Sequence, residues 1–265
     1  MPASGGERSK ENIHYATPEL ADYFSRHRNQ WDDFYPSEKW MFTRVAGPEK
    51  YFGRVLDVGC ARGGLGRALA GRFGVTEYLG VDINRQVIEL ARDQKDFPVP
   101  RYRFECGDIL EMGGSIEGQF DAVFSLSCAD WNVKTIDIIN TCWQYVRVGG
   151  YFLLTLRLTP GASITDLSKS FQYIYAGERL PDNKEALEKA PYVVLNVRET
   201  WQIMAHLRPL PGQILAYGYW GKPSLTAVTG YDRLVFTALA LQKGAREGEA
   251  HDIACELHLP LELLL

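Results

Sequence analysis

The sequence predicts an α/β fold: a mostly parallel sheet with helices on both faces. Three observations carry this. Between Arg54 and Leu158, short apolar runs alternate with stretches whose apolar residues recur at helical spacing. The runs are nearly continuously apolar, as strands covered on both faces must be. The first run ends in a glycine cluster from which a helix starts.

The elements follow in order. Residues Ile13 to Arg44 mix aromatics and charge and read as one or two amphipathic helices broken at Pro36, with Ser37, Glu38 and Lys39 as a helix start. Arg54 to Val58 is the first strand, and Leu65, Leu69 and Phe73 mark the helix after it. Tyr78 to Asp82 is the second strand, followed by a helix carrying Val87, Ile88 and Ala91. Tyr102 to Cys106 is the third, Phe120 to Leu126 the fourth. Thr135 caps a helix with Ile136, Ile139, Trp143 and Val146 in register, and Gly149-Gly150 stops it. Tyr151 to Leu156 is the fifth strand. A polar, loop-rich stretch from Thr159 to Pro191 holds a short helix around Leu167 to Tyr175. Another helix carries Thr200, Ile203, Met204 and Leu207, and two late strands cover Ile214 to Tyr219 and Leu234 to Leu241. The tail, Gly244 to Leu265, opens polar and ends in leucines that pack on the body or on a second subunit, so a homodimer is open.

Charge and composition remove some functions. Lys and Arg number 29 against 33 Asp and Glu, a net charge of −4. Nucleic-acid or anionic-membrane binding as the main activity needs a positive field, so neither is expected. The five cysteines are an odd number without a CxxC pair, which suits reduced thiols in a cytoplasmic protein better than a disulfide framework. The five histidines have no metal-ligand spacing, so no metal is expected. There is no uncharged apolar run of about 18 residues, and Met1 to Asn12 is polar, so neither a membrane span nor a signal peptide is expected.

The sharpest signal is Val55-Leu56-Asp57-Val58-Gly59-Cys60-Ala61-Arg62-Gly63-Gly64. A glycine turn between strand and helix lets backbone approach a ligand and offers unpaired N–H groups. Asp82, nineteen residues beyond Gly63, stands where ribose hydroxyls are held in nucleoside sites. The spacing Gly59-x-Ala61-x-x-Gly64 also passes as a nicotinamide-cofactor fingerprint. Asp57, two residues before the first glycine, would repel a pyrophosphate and favour a cofactor with a cationic amino group. Asp108, in the loop Gly107-Asp108-Ile109, adds an acid able to accept from an adenine amino group.

These segments resemble, in order, the motifs of class I S-adenosylmethionine-dependent methyltransferases. Leu56 to Gly63 is similar to the family's Asp-x-Gly-x-Gly-x-Gly loop, with Ala61 for one glycine. Val81-Asp82-Ile83 looks like its ribose-binding acid, Gly107-Asp108-Ile109 like its adenine-side acid, and Phe120 to Ser125 like its fourth strand. Tyr145 to Tyr151 resembles the lead into its fifth strand, and the late strand pair resembles the antiparallel end of its seven-stranded sheet. The resemblance implies a Rossmann-like seven-stranded sheet and S-adenosyl-L-methionine as cofactor. The candidate cofactor contacts are Asp57, Gly59, Cys60, Ala61, Gly63, Asp82, Ile83, Asp108 and Ile109, with Ser125 and Ser127 at the carboxyl end of the fourth strand.

The expected function is methyl transfer to an O, N or C atom of a small molecule: a sugar, natural product or other metabolite. Asp130, after the fourth strand, is the first candidate for orienting or deprotonating the acceptor, and Arg157, after the fifth, for holding an acidic group. His206 and Tyr35 are further candidates. The aromatics crowd the flanks, where Tyr35, Tyr192, Tyr219 and others would form a lid and wall over the carboxyl edge. The competing readings are an NAD(P)-dependent oxidoreductase and a non-catalytic cofactor-binding subunit. The chain divides into an N-terminal helical lid over about 1–50, the methyltransferase domain over about 51–245 with an insertion at about 159–191, and a tail over about 246–265.

Overall fold

The apolar runs of the sequence become strands of one large sheet in the computed structural model, which describes residues 28–175, 180–185, 187–244 and 252–264. The polar start, Met1 to Asn12, and the first part of the predicted N-terminal helices lie outside the described residues.

The order is α1 (Pro36–Ala46), β1 (Tyr51–Val58), α2 (Gly64–Ala70), β2 (Gly74–Asp82), α3 (Arg85–Arg92), β3 (Arg101–Cys106), β4 (Phe120–Ser125), α4 (Thr135–Tyr145) and β5 (Val146–Thr159). Then come β6 (Phe171–Tyr173), β7 (Lys189–Pro191), β8 (Leu195–Asn196), α5 (Val197–His206), β9 (Pro211–Gly221), β10 (Ala227–Val228), β11 (Leu234–Lys243), β12 (Ala254–His258) and α6 (Leu261–Leu264). The main sheet runs β12-β9-β11-β5-β4-β1-β2-β3, with β8 pairing to β5 beside this path. Only β11 runs antiparallel to its neighbours. The parallel α/β prediction holds, and β12 extends the seven expected strands.

Alternate residues of the central strands serve two cores. Val55, Phe124 and Leu153 face the side where Met41 and Phe42 of α1 and Leu65 and Leu69 of the α2 segment pack. Leu56, Val123 and Leu154 face the other side, with Ile138, Ile139 and Trp143 of α4 and Met204 of α5. Period-two alternation within apolar strands thus gives both faces a helical cover.

Four local expectations change. The fifth strand begins at Val146, not Tyr151: α4 ends at Tyr145 because Val146 is already extended, and the Gly149-Gly150 pair lies inside the strand. Gly149 takes φ +74° there, and Gly150 passes so close that an added Cβ would stand 2.8 Å from Asp121 O. Thr135 is the first helical residue and donates to Ala129 O and Asn132 O instead of capping, while Ile136 faces solvent. The predicted helix at Leu167 to Tyr175 contains β6, because Phe171 and Gln172 find antiparallel partners in β7 and β10. This small sheet, β10-β6-β7, belongs to the expected insertion and its neighbours.

The described part of the tail, residues 252–264, packs on its own chain. β12 adds to the β9 edge and Leu263 is buried against the α4 side. Arg44 of α1 holds Glu256 of β12 at 2.7 Å.

Lys243, at the end of β11, is buried and donates to Trp143 O at 2.9 Å and Val146 O at 2.8 Å. It closes the carboxyl end of α4, where carbonyls lack helical partners and a cation is favoured. Lys243→Met is expected to cost about 2 kcal/mol in urea unfolding, because it orphans buried acceptors. A loss within about 0.3 kcal/mol of zero would show that these carbonyls need no partner.

Candidate functional site

The site grows from the turn after β1. Strands β2 and β3 lie to one side of β1 and β4 to the other, so the carboxyl ends of β1 and β4 flank a topological switch point. Gly59 stands there with φ +78°, and a Cβ on it would lie 2.7 Å from Cys128 Sγ. The turn is pinned to β2: the Gly59 and Cys60 N–H groups donate to Val81 O at 2.8 and 3.1 Å. Ala61 N–H donates to Asp82 Oδ2 at 2.9 Å, and Asn84 N–H donates to Asp82 Oδ1 at 2.9 Å. Each carboxylate oxygen of Asp82 keeps acceptor capacity. Burial raises the Asp82 pKa, and these two N–H donors oppose the rise. Asn84, not Asp82, caps α3, accepting from Gln86 and Val87. Ala61 itself takes a left-handed backbone, φ +46°, the conformation that makes glycine usual at such a position.

A crevice of about 70 Å³ borders Gly59, lined among others by Asp82, Ile83, Asp108, Ile109 and Ser127. A larger cleft of about 490 Å³ also borders Gly59, lined among others by Asp57, Cys60, Ala61, Gly64, Asp130 and Arg157. Ser127 and Trp131 line both. Half-buried Asp108 accepts from Leu110 N–H at 3.0 Å, which fixes its loop. Ser127 stands at φ +46° on the turn after β4, its N–H on Thr155 Oγ1 at 2.6 Å.

Asp57 is buried at the end of β1 and accepts from the Tyr78 hydroxyl at 2.6 Å. Burial pushes its pKa from 3.8 up to about 7; the Tyr78 hydrogen bond opposes this and the Asp82 charge adds to it. Tyr78 is itself held far above the phenol range, first by burial and then by Asp57. The pair is an anion site poised near neutrality, beside the turn.

Asp130 and Arg157 meet on the far wall. Arg157 Nε lies 3.4 Å from Asp130 Oδ2, with both side chains buried. Arg157 also donates to Asp130 O at 2.9 Å, and its guanidinium lies 3.7 Å from the Tyr192 ring centre and 4.8 Å from that of Trp131. Asp130 Oδ1, by contrast, has no hydrogen-bond partner. Burial raises the Asp130 pKa, against the pull of Arg157 and Arg28. Arg157 therefore orients Asp130 and is not free to hold an acidic substrate group, as the sequence had suggested.

Three predicted site residues fall elsewhere. His206 is exposed at the end of α5, its Nδ1 near Gln202 O, and lines neither cavity. Ser125 is fully buried and its Oγ accepts from Ala129 N–H, so it builds the loop after β4. Gly63 precedes α2 as its N-cap, with φ +79°, and packs on Phe97 and Phe104, away from the cleft. Other residues escaped the sequence reading. Arg28 reaches in from before α1 to Glu38 at 2.8 Å and Ser127 Oγ at 2.8 Å, while Glu38 also accepts from Tyr35 N–H. Glu38 carried a signal, its place three residues after the helix entry; Arg28 carried none. Tyr35, Tyr192 and Tyr219 do line the cleft, as the aromatic flanks implied.

Comparison with known proteins follows this geometry. Residues 55–150 match the family model described as a methyltransferase domain. The chain is similar to a trans-aconitate 2-methyltransferase of Deinococcus radiodurans, 33% identical over 103 residues, covering 39% of this chain and 37% of that one. It is 28% identical over 153 residues to a ubiquinone biosynthesis O-methyltransferase of Xanthomonas campestris pv. campestris, covering 53% of this chain and 62% of the relative. The chain thus spans less than two thirds of the length of these relatives. Its fold is shared by TehB of Haemophilus influenzae, with a TM-score of 0.51, 16% identity, and 84% of this chain and 67% of that chain covered.

Two predictions follow from the turn and from Asp57. Gly59→Ala forces a Cβ into Cys128 and an unfavoured φ, so calorimetry is expected to show a loss of more than about tenfold in S-adenosylhomocysteine affinity; wild-type affinity would mean the turn can shift without consequence. Asp57 holds its proton up to about pH 7 when folded and to 3.8 when unfolded. The folded state therefore binds more protons between those values, and wild-type stability falls as pH rises through them. Asp57→Asn cannot ionise. Its stability relative to wild type, read in urea, is expected to grow by roughly 2 kcal/mol between about pH 5 and 8. A difference independent of pH would refute the raised pKa.

Proposed function

We propose that this chain, whose residues 55–150 match a methyltransferase domain, is a class I S-adenosylmethionine-dependent methyltransferase that methylates a small molecule. One observation carries the reading: the crevice with Asp82 and Asp108 and the cleft with Asp57 and Asp130 share the turn at Gly59, with Ser127 and Trp131, in their walls. A nucleoside and a reacting group can then meet at that turn.

The residues present suit the cofactor. Asp82 and Asp108 are acceptors placed for ribose hydroxyls and an adenine amino group. Ile83 and Ile109 offer apolar contact for a base. Asp57 offers a carboxyl group for a cationic amino group, and Gly59, in the walls of both cavities, has no room for a Cβ beside Cys128. When bound, S-adenosylmethionine supplies a methyl group already activated by its sulfonium.

The chain's own residues have three tasks. They hold the acceptor atom in line, exclude water and take the acceptor's proton where it has one. Asp130 Oδ1, buried and unpaired, is the group placed to orient the acceptor or receive its proton. Arg157 is a positioning residue that fixes Asp130. The Arg28–Glu38 pair draws the segment before α1 over Gly64, where an added Cβ would stand 2.8 Å from Arg28 O. We take residues 28–38 as the part of the N-terminal region that covers the cleft. Among the described residues no helix is long and apolar enough to cross a membrane, and all five cysteines are free thiols, which suits a cytoplasmic setting.

The test is calorimetry with S-adenosylhomocysteine and NADH. The expected result is binding of the first and none of the second, with Asp82→Ala weakening the first by about tenfold or more. NADH binding alone, or full affinity in Asp82→Ala, would overturn the assignment.

A further inference from the structure

Within the large cleft, most charged groups already have partners. Arg28 is spent on Glu38 and Ser127. Arg157 is spent on the Asp130 carboxylate, on Asp130 O and on Val193 O, and is pressed between two aromatic rings. Two buried polar atoms lining the cleft are left without a hydrogen bond: Asp130 Oδ1 and Tyr192 Oη. Both residues are nearly inaccessible, at 3% and 2% exposure. They are built as a unit. Arg157 touches both, and Val193 N–H donates to Asp130 O at 3.0 Å, so the two segments are laced together.

Buried polar atoms are normally satisfied, and leaving one unmade costs about 1–3 kcal/mol. A ligand group that reaches these atoms would supply the missing partner, and its chemistry can be read. Asp130 Oδ1 accepts, and Tyr192 Oη donates as well as accepts. A hydroxyl both donates and accepts, so it satisfies the pair. A carboxylate would meet like charge at Asp130 and find both nearby guanidiniums committed. An ammonium only donates and leaves the Tyr192 proton unmatched.

The body of the ligand is also legible. Trp131 and Tyr192 pack edge to face at 6.2 Å, and Tyr219 and Phe236 lie 6.3 Å apart, all four lining the cleft. Aromatic pairs of this kind accept another flat ring by offset or edge contact. Lys222 is exposed at the rim, so an acidic substituent would sit there and not at the reacting end. We infer that the methyl acceptor is a hydroxylated aromatic compound whose hydroxyl sits between Asp130 Oδ1 and Tyr192 Oη. This rests on the methyltransferase reading above and narrows it to O-methylation.

The test uses three probes of one shape: 2-naphthol, 2-naphthoate and 2-naphthylmethylamine. Each is titrated by calorimetry into the full chain saturated with S-adenosylhomocysteine. The expected order puts 2-naphthol first. Tyr192→Phe and Asp130→Asn are each expected to weaken it by about tenfold, with S-adenosylhomocysteine affinity and thermal melting of Tyr192→Phe unchanged. Asp130→Asn strips Arg157 of its anion, so Tyr192→Phe carries the test if that variant does not fold. Tighter binding of the naphthoate or the amine, binding of none of the three, or wild-type 2-naphthol affinity in Tyr192→Phe overturns the inference and leaves the methyltransferase reading standing. Failure of S-adenosylhomocysteine itself to bind overturns that reading, and this inference with it.

Discussion

Three N–H donors pin the backbone leaving β1 to the end of β2: Gly59 and Cys60 on Val81 O, and Ala61 on the Asp82 carboxylate. The two cavities depend on this clamp. It forces the chain into a left-handed turn in a space where Cys128 leaves no room for a Cβ at Gly59. A backbone without a side chain there forms part of the wall of both the crevice and the cleft. Asp82 is consequently both a strut of the turn and a wall of the crevice, so structure and binding share one carboxylate.

Burial of charge is the second theme. Four carboxylates, Glu38, Asp57, Asp82 and Asp130, are nearly inaccessible, and each meets the cost differently. Glu38 takes a guanidinium and a helix-entry N–H. Asp82 takes two backbone N–H groups. Asp57 takes a phenol and retains its proton toward neutrality. Asp130 takes half a partner, since Arg157 serves one oxygen and the other is bare. Buried ion pairs are poor sources of stability, because desolvation offsets their attraction. The concentration of buried carboxylates around the cleft and the adjoining crevice is better understood as electrostatic preparation for a ligand.

The motif-bearing half of the site was legible in the sequence because it is local. Asp57, Gly59, Ala61, Asp82 and Asp108 each stand at or just beyond the carboxyl end of a strand, and parallel strands bring such ends to one edge. Ser125, Gly63 and His206 were misread because a position at a strand end or on a helix does not say which way a side chain points. Ser125 points to Ala129, His206 to its own helix, and the backbone of Gly63 lies against Phe97 and Phe104. Arg157 was placed correctly but misjudged, since its engagement with Asp130 and Trp131 and with Tyr192 and Val193 joins three distant places in the chain.

The sequence by itself determined the α/β class, the order of strands through β5, and the turn with its acids. Periodicity and glycine spacing are local properties, and they suffice for elements that repeat a strand-helix unit. Tertiary structure alone decided the rest. It docked the tail as β12, turned the Phe171 segment into a strand by giving it partners, and ran β5 through Gly149-Gly150. It also joined Arg28 to Glu38 and left Asp130 and Tyr192 each with an unmet hydrogen bond. Those outcomes turn on which side chains meet across long stretches of chain, and hydrogen-bond satisfaction is settled only when every neighbour is in place.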